Sequence, residues 1–260
     1  MNIVKATNKI ALITVVGLIY WVFIFVCSTV FGFKVFRENM TEIFLLSILG
    51  IFAVLSGAII LNIMFNLTAI AEGRRGEERS RKSGKFHPLV LFSGSLVVIF
   101  ALLYAGDLAT TKKKEAYLVS AADALVKEQH DTLLRISDYA FSRDYLENTS
   151  KDIKILSRVE EKFPSITVIV EDQIQGKEYF LGLGEHMYVD DKQEPQKVDY
   201  IRSTSAEERN YLASVFNEKN MRHRFSSHDG RYEVYYPVKT EKGTMVLYLS
   251  QYSRHGKFGS

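Results

Sequence analysis

The sequence predicts an α+β membrane protein: three transmembrane helices, a long stalk helix, and a C-terminal domain built on an antiparallel sheet. Three observations carry this. Three long apolar runs, uncharged in their cores, end by about residue 108. Neither Gly nor Pro occurs between Asp107 and Asn148. After Asn148, short β-branched runs alternate with turn signals and two amphipathic helical stretches.

The first run, Ile10 to Phe33, has no charge and is long enough to cross a bilayer. Trp21, Phe23 and Phe25 crowd its middle, unlike the short apolar core of a cleavable signal peptide. The spans are placed at about residues 10–33, 43–67 and 88–108, with Pro88 suited to a first helical turn. No acid, base or histidine interrupts the cores of these runs, so no ion or proton path is marked. Asn62 with Asn66, Ala53 with Gly57, and Ala101 with Ala105 are each four apart. Such pairs suit either packing among the three helices or contact with another membrane protein.

Orientation follows from the basic residues. Arg74, Arg75, Arg79, Arg81, Lys82 and Lys85 crowd the loop between the second and third spans. The positive-inside rule places that loop, and the N-terminus with it, in the cytoplasm of a bacterial inner-membrane protein. Lys112, Lys113 and Lys114 argue the other way, three against six. The C-terminal domain is therefore expected outside the cytoplasm. Cys27 is the only cysteine, so no disulfide forms within the chain. The formal charge of +3 is close to neutral and gives no ground for nucleic-acid binding.

The stalk, residues 108–148, carries a seam at Leu118, Ala122, Leu125, Thr132, Ile136 and Tyr139, interrupted at Gln129. Its flanks are kept wet by Lys127, Glu128, Asp131 and Arg135. A seam this narrow needs a cover, either a second copy or the chain's own C-terminal domain. The expectation is a continuous helix that self-associates as a dimer or larger oligomer.

In the third region, residues 149–260, a short helix is expected from Lys151 to Phe163, stopped by Pro164. Ile166 to Glu171 and Glu178 to Leu183 read as a hairpin turning at Gln175-Gly176. Glu185 to Lys197 reads as a loop, and Val198 to Ile201 as a short strand. Ser205 and Glu208 form a capping box for a helix to about Glu218. Strands follow at Met221–Ser226, Arg231–Val238 and Thr244–Tyr252, the last two joined through Thr240 to Gly243.

Candidate sites are few. Ser227, His228 and Asp229 are triad letters without triad spacing, and no phosphate-binding glycine motif is present, so no catalytic residue is assigned. His186 near Asp190 and Asp191 lacks a second histidine at ligand spacing, so neither a metal nor a cofactor is expected. Gly182 and Gly184 face one side of their strand, opening room for a ligand or for close packing of a helix. Tyr200, Arg202, Tyr232 and Tyr236 are the candidate ligand-binding residues. Tyrosines give apolar walls with polar tips, and arginine grips a carboxylate. The alternative is that they simply form the packed face of the sheet. Arg254, Lys257 and Phe258 surround two glycines in the tail, a charge-plus-aromatic pattern suited to docking on a partner protein.

The order of a long helix, a short helix, two strands, a loop with a helix, then three antiparallel strands resembles the Cache domains, relatives of PAS domains. The resemblance covers about residues 110–252. It rests most on Phe163-Pro164-Ser165-Ile166 entering the first strand, and on the hairpin from Tyr235, Tyr236, Pro237 and Val238 through Gly243 to Leu249. It implies a membrane-anchored extracytoplasmic sensor or regulatory subunit, not an enzyme. The effector, a kinase, cyclase or chemotaxis module in such sensors, is expected on a separate membrane or envelope protein. A structural component of a cell-envelope complex, using the same fold to bind proteins, is the alternative. The partners expected are membrane lipids, a second copy and that effector.

Overall fold

The computed structural model describes residues 3–33, 40–71, 87–157, 164–187, 194–228 and 230–252, which fall into two compact units, Met1–Thr110 and Thr111–Ser253. The basic loop of residues 73–85, Asp190, Asp191 and the tail residues Arg254, Lys257 and Phe258 lie outside the described residues.

The first unit holds α1 (Ile3–Val30), α2 (Met40–Ala71) and the first part of α3 (His87–Glu128). All three are long and apolar enough to cross a membrane, the signature of a multi-pass membrane protein. Their outward residues, such as Leu12, Leu46, Ile60, Leu91 and Val97, are exposed, as helices solvated by lipid require. Aromatic contacts join them. Trp21 and Phe25 of α1 meet Phe44 of α2 at 4.7 and 5.5 Å between ring centroids. Tyr20 packs 5.2 Å from Phe92 of α3, and its hydroxyl bonds Ser95. Gly32, at φ 63°, turns the chain so that Phe31 and Phe33 both reach Phe100. The asparagine pair is satisfied within its own helix, Asn66 Nδ2 donating to Asn62 Oδ1 at 3.2 Å. Ala53, Ala101 and Ala105 are exposed, so the small-residue pairs are not spent on packing inside this unit.

The second unit corrects the expectation of one unbroken helix from Asp107 to Asn148. Helix α3 ends at Glu128, α4 runs His130–Ser137, and α5 runs Arg143–Leu156. The first break falls at Gln129, where the apolar seam is interrupted; bending there lets Leu133 and Ile136 turn into the core. The second is made by capping: the Ser142 side chain accepts from Tyr145 N at 3.3 Å and starts α5 afresh. The helix expected from Lys151 therefore begins eight residues earlier, and its Ile153 and Leu156 are buried.

Five strands form one antiparallel sheet in the order β2-β1-β5-β4-β3: β1 (Ser165–Ile174), β2 (Lys177–Gly184), β3 (Arg224–His228), β4 (Arg231–Lys239) and β5 (Thr244–Tyr252). The first hairpin turns through Gln175 and Gly176, both at positive φ (51° and 77°), the twist-matched two-residue turn. The strand expected at Val198–Ile201 is instead a 3-10 turn, Lys197–Tyr200, followed by a single bridge from Ile201 to Leu181. Helix α6 (Ala206–Glu218) starts with the expected capping box: Ser205 Oγ accepts from Glu208 N at 3.2 Å, and Glu208 Oε2 accepts from Ser205 N at 2.7 Å.

Helices cover both faces of the sheet. On one face Leu118, Ala122 and Leu125 of α3, with α4 and α5, pack on Val168, Leu183, Tyr232, Val234 and Leu247. Of the two covers open to the α3 seam, the chain uses its own sheet. On the other face Leu212 and Val215 of α6 pack on Ile169, Phe180, Tyr235, Val246 and Tyr248.

Candidate functional site

The α6 face of the sheet carries a row that crosses all five strands. Strand register aligns Gly184, Thr167, Tyr248, Tyr235 and Arg224, one from each strand. At the β2 end the row has no bulk, because Gly184 and, one pair further along, Gly182 lack side chains. A cavity of about 710 Å³ opens there, floored by Thr167, Gly182 and Gly184 and walled by Glu185, Asp199 and Tyr200. A Cβ on Gly182 would meet Thr167 Cγ2 at 3.5 Å and Arg202 Cβ at 3.6 Å, both ordinary contacts. The neighbour at Gly182 is thus the Arg202 side chain and not a packed helix, and Gly184 meets only β1.

Arg202 is fixed to the β2 edge by its backbone, with N donating to Phe180 O at 2.9 Å. Its guanidinium lies 3.8 Å from the Tyr248 ring centroid and 5.8 Å from that of Tyr235. Nη2 donates to Tyr235 Oη at 3.4 Å, while Nε is buried without a hydrogen-bond partner. The Tyr235 hydroxyl donates to Glu208 at 2.6 Å, and the Tyr248 hydroxyl donates to Glu233 at 2.5 Å. Burial, reinforced by the bond to Glu208, pushes the Tyr235 hydroxyl well above the ordinary tyrosine range. Burial works against the charge of Glu208, but the bonds from Tyr235 and Ser205 overcome it and hold the carboxyl below its usual range. Capping box, tyrosine pair and arginine are thus one polar network.

The outer wall of the cavity is tied down from the edge. Lys197 Nζ donates to Asp172 Oδ1 at 2.7 Å, and Tyr139 Oη donates to Asp172 Oδ2 at 2.5 Å. This joins the turn bearing Asp199 and Tyr200 to β1.

Of the four tyrosine and arginine candidates only Arg202 lies with the α6-face tyrosines. Tyr200 belongs to the core on the α3 side, its ring 5.7 Å from Phe141, and lines the cavity from the β2 edge. Arg202 flanks the cavity floor at Gly182. Tyr232 and Tyr236 point the other way, under α3. Tyr232 is fully buried with Lys114 Nζ 5.5 Å above its ring, and the Tyr236 hydroxyl bonds Asp123. The residues of β4 and β5 on the face toward α6 are Tyr235 and Tyr248, which the sequence reading did not single out. The signal was present: the turn from Thr240 to Gly243 sets the register that places Tyr235 opposite Tyr248.

His186 Nε2 lies 3.0 Å from Glu185 Oε1, and among the described residues no group of His, Cys, Asp and Glu is arranged to hold a metal ion. The recess has a floor of small residues and carboxylates at its rim, while the Arg202 guanidinium lies against the rings of Tyr248 and Tyr235. No family model, curated protein or solved structure matches the chain.

Proposed function

We propose that the protein is a membrane-anchored sensor or regulatory subunit whose C-terminal unit binds a small molecule in the cavity between β1, β2 and residues 194–200. The observation that carries this reading is the recess itself: about 710 Å³ lies open over two glycines on one strand face, with the half-buried Arg202 side chain beside Gly182. The reading starts from the resemblance of the sequence to Cache and PAS-related domains. The six basic residues of the loop at 74–85 support an orientation with the C-terminal unit outside the cytoplasm. Helix α3 runs unbroken from His87 to Glu128, a covalent route by which binding would reach an effector.

The assembly-component reading calls for a broad exposed apolar face. Among the described residues the exposed large apolar side chains of the C-terminal unit include Ile155, Val198, Met221 and Tyr252, which come from separate segments, and this favours the sensor reading.

The test is a melting screen of the full-length protein in lipid nanodiscs against small polar metabolites. A ligand present at a hundred times its Kd stabilises the fold by about 2.7 kcal/mol. It is expected to raise the melting temperature of the wild type and not that of Gly184→Leu, whose side chain fills the recess. A ligand that stabilises both equally binds elsewhere and removes the support for this site. A reporter active only outside the cytoplasm, fused after Ser260, checks the orientation.

A further inference from the structure

The three consecutive lysines Lys112, Lys113 and Lys114 stand against the basic loop in the topology count, and the structure separates them. Lys114 is turned to the sheet: its Nζ donates to Gln251 Oε1 at 2.9 Å and lies 5.5 Å from the Tyr232 ring centroid. Glu115, beside it, faces His223 at 3.6 Å. Lys112 and Lys113 are exposed, and among the described residues neither has a hydrogen bond or ion pair.

Helix geometry gives the reason. At about 100° per residue, Lys112 and Lys113 point roughly 120° and 140° away from Leu118, which is fully buried against the sheet. They also follow the apolar part of α3 closely, since Leu108 is the last large apolar side chain before them. At 1.5 Å per residue they stand about 6 and 7.5 Å beyond it. The polar headgroup layer extends about 5–7 Å outside the hydrocarbon on each side of a bilayer. Two unpaired cations on the outward face of α3 therefore fall at the depth of lipid phosphates. Asp107 is the only acid between His87 and Glu115, so this stretch of helix is net positive.

We infer that Lys112 and Lys113 form a binding site for the phosphates of anionic lipids, while Lys114 anchors α3 to the sheet. The occupant is a membrane lipid: a free phosphate would not be delivered to this depth, and each exposed lysine is set to meet a headgroup layer. Two lysines at a membrane surface strengthen binding of anionic lipid by roughly tenfold or more. The inference rests on the membrane-spanning reading of α3 and is independent of the ligand cavity.

The experiment titrates the purified full-length protein with phosphatidylglycerol and, separately, phosphatidylcholine, counting bound lipids by native mass spectrometry. The expected result is that K112Q/K113Q binds phosphatidylglycerol about tenfold more weakly than wild type, with phosphatidylcholine binding unchanged. The difference shrinks at high salt, as screening requires. K112R/K113R keeps wild-type binding, which separates charge from any effect of glutamine on the helix. K114Q keeps the lipid and lowers the melting temperature of the C-terminal unit. Equal phosphatidylglycerol curves for wild type and K112Q/K113Q overturn the inference. So does equal loss of both lipids, or loss of binding in the arginine pair.

Discussion

The Arg202 guanidinium stacks 3.8 Å from the Tyr248 ring centroid and has no carboxylate within ion-pair distance among the described residues. A half-buried cation is here held by aromatic faces and one long hydrogen bond. Cation–π contacts contribute about 2 kcal/mol when desolvated. Arg202→Ala is expected to destabilise the C-terminal unit by about 2–3 kcal/mol. Arg202→Lys recovers only part of this, because an ammonium lacks the flat face that stacks. Thermal unfolding of both variants measures it; a lysine variant as stable as wild type would show that charge alone suffices.

Tyrosines set the alkaline limit. Tyr236 is pushed up to about 12, first by its bond to Asp123 and then by burial. Tyr145 is pushed up to about 12 chiefly by burial. Each has a folded value above the ordinary tyrosine value of about 10. Their stabilisation is therefore complete below pH 10 and is lost as pH climbs through 12. Melting temperature against pH should fall across that window, and Tyr236→Phe should flatten the fall while costing about 1–2 kcal/mol at neutral pH.

Asp172 sets an acid limit of opposite sign. Burial opposes its charge, but the bonds from Lys197 and Tyr139 prevail and hold its carboxyl below the usual range. Its stabilisation is present above the ordinary carboxylate value of about 4 and is lost as pH falls through the lower folded value. Asp172→Asn should cost about 1–2 kcal/mol at neutral pH and remove part of the acid slope. Because Lys197 precedes Asp199 and Tyr200, hydrogen exchange at residues 197–200 should quicken in the same variant.

Gly243 is required for space, not for its dihedral angles. A Cβ there would stand 2.9 Å from the Ser137 carbonyl oxygen, a backbone atom at the end of α4. Gly243→Ala is expected to cost about 1–3 kcal/mol by forcing the hairpin away from α4. An unchanged melting temperature would mean that the two segments part at little cost.

Regular elements were legible where one local rule decided them. The spans followed from length and missing charge, the capping box from Ser205 and Glu208, and the hairpins from Gly176 and Gly243. The seam on α3 was legible too, but periodicity does not say what covers it, and the cover came from strands more than 40 residues away. The helix breaks at Gln129 and Ser142 were marked only by one polar residue in a stripe and by a serine cap, without Gly or Pro. The site was half legible for a similar reason. Tyr200 and Arg202 lie on a segment whose place is set by the β2 edge, whereas choosing between Tyr235 and Tyr236 needed the register of β4 on β5.

The order of the sheet has a consequence for how the chain is made. Its middle strand, β5, is the last of the five to leave the ribosome. Before Thr244 to Tyr252 arrive, β1–β2 and β3–β4 are two separate hairpins with no edge in common. Isolated hairpins are marginal in water, so the seam of α3 has no finished surface to close on until synthesis has passed Tyr252. During that interval Leu118, Ala122 and Leu125 are open to solvent or chaperone, on a helix whose earlier turns are already apolar enough for the bilayer. Because both hairpins lean on β5, the sheet cannot be completed before its central strand is made, after the apolar part of α3 has already been synthesised.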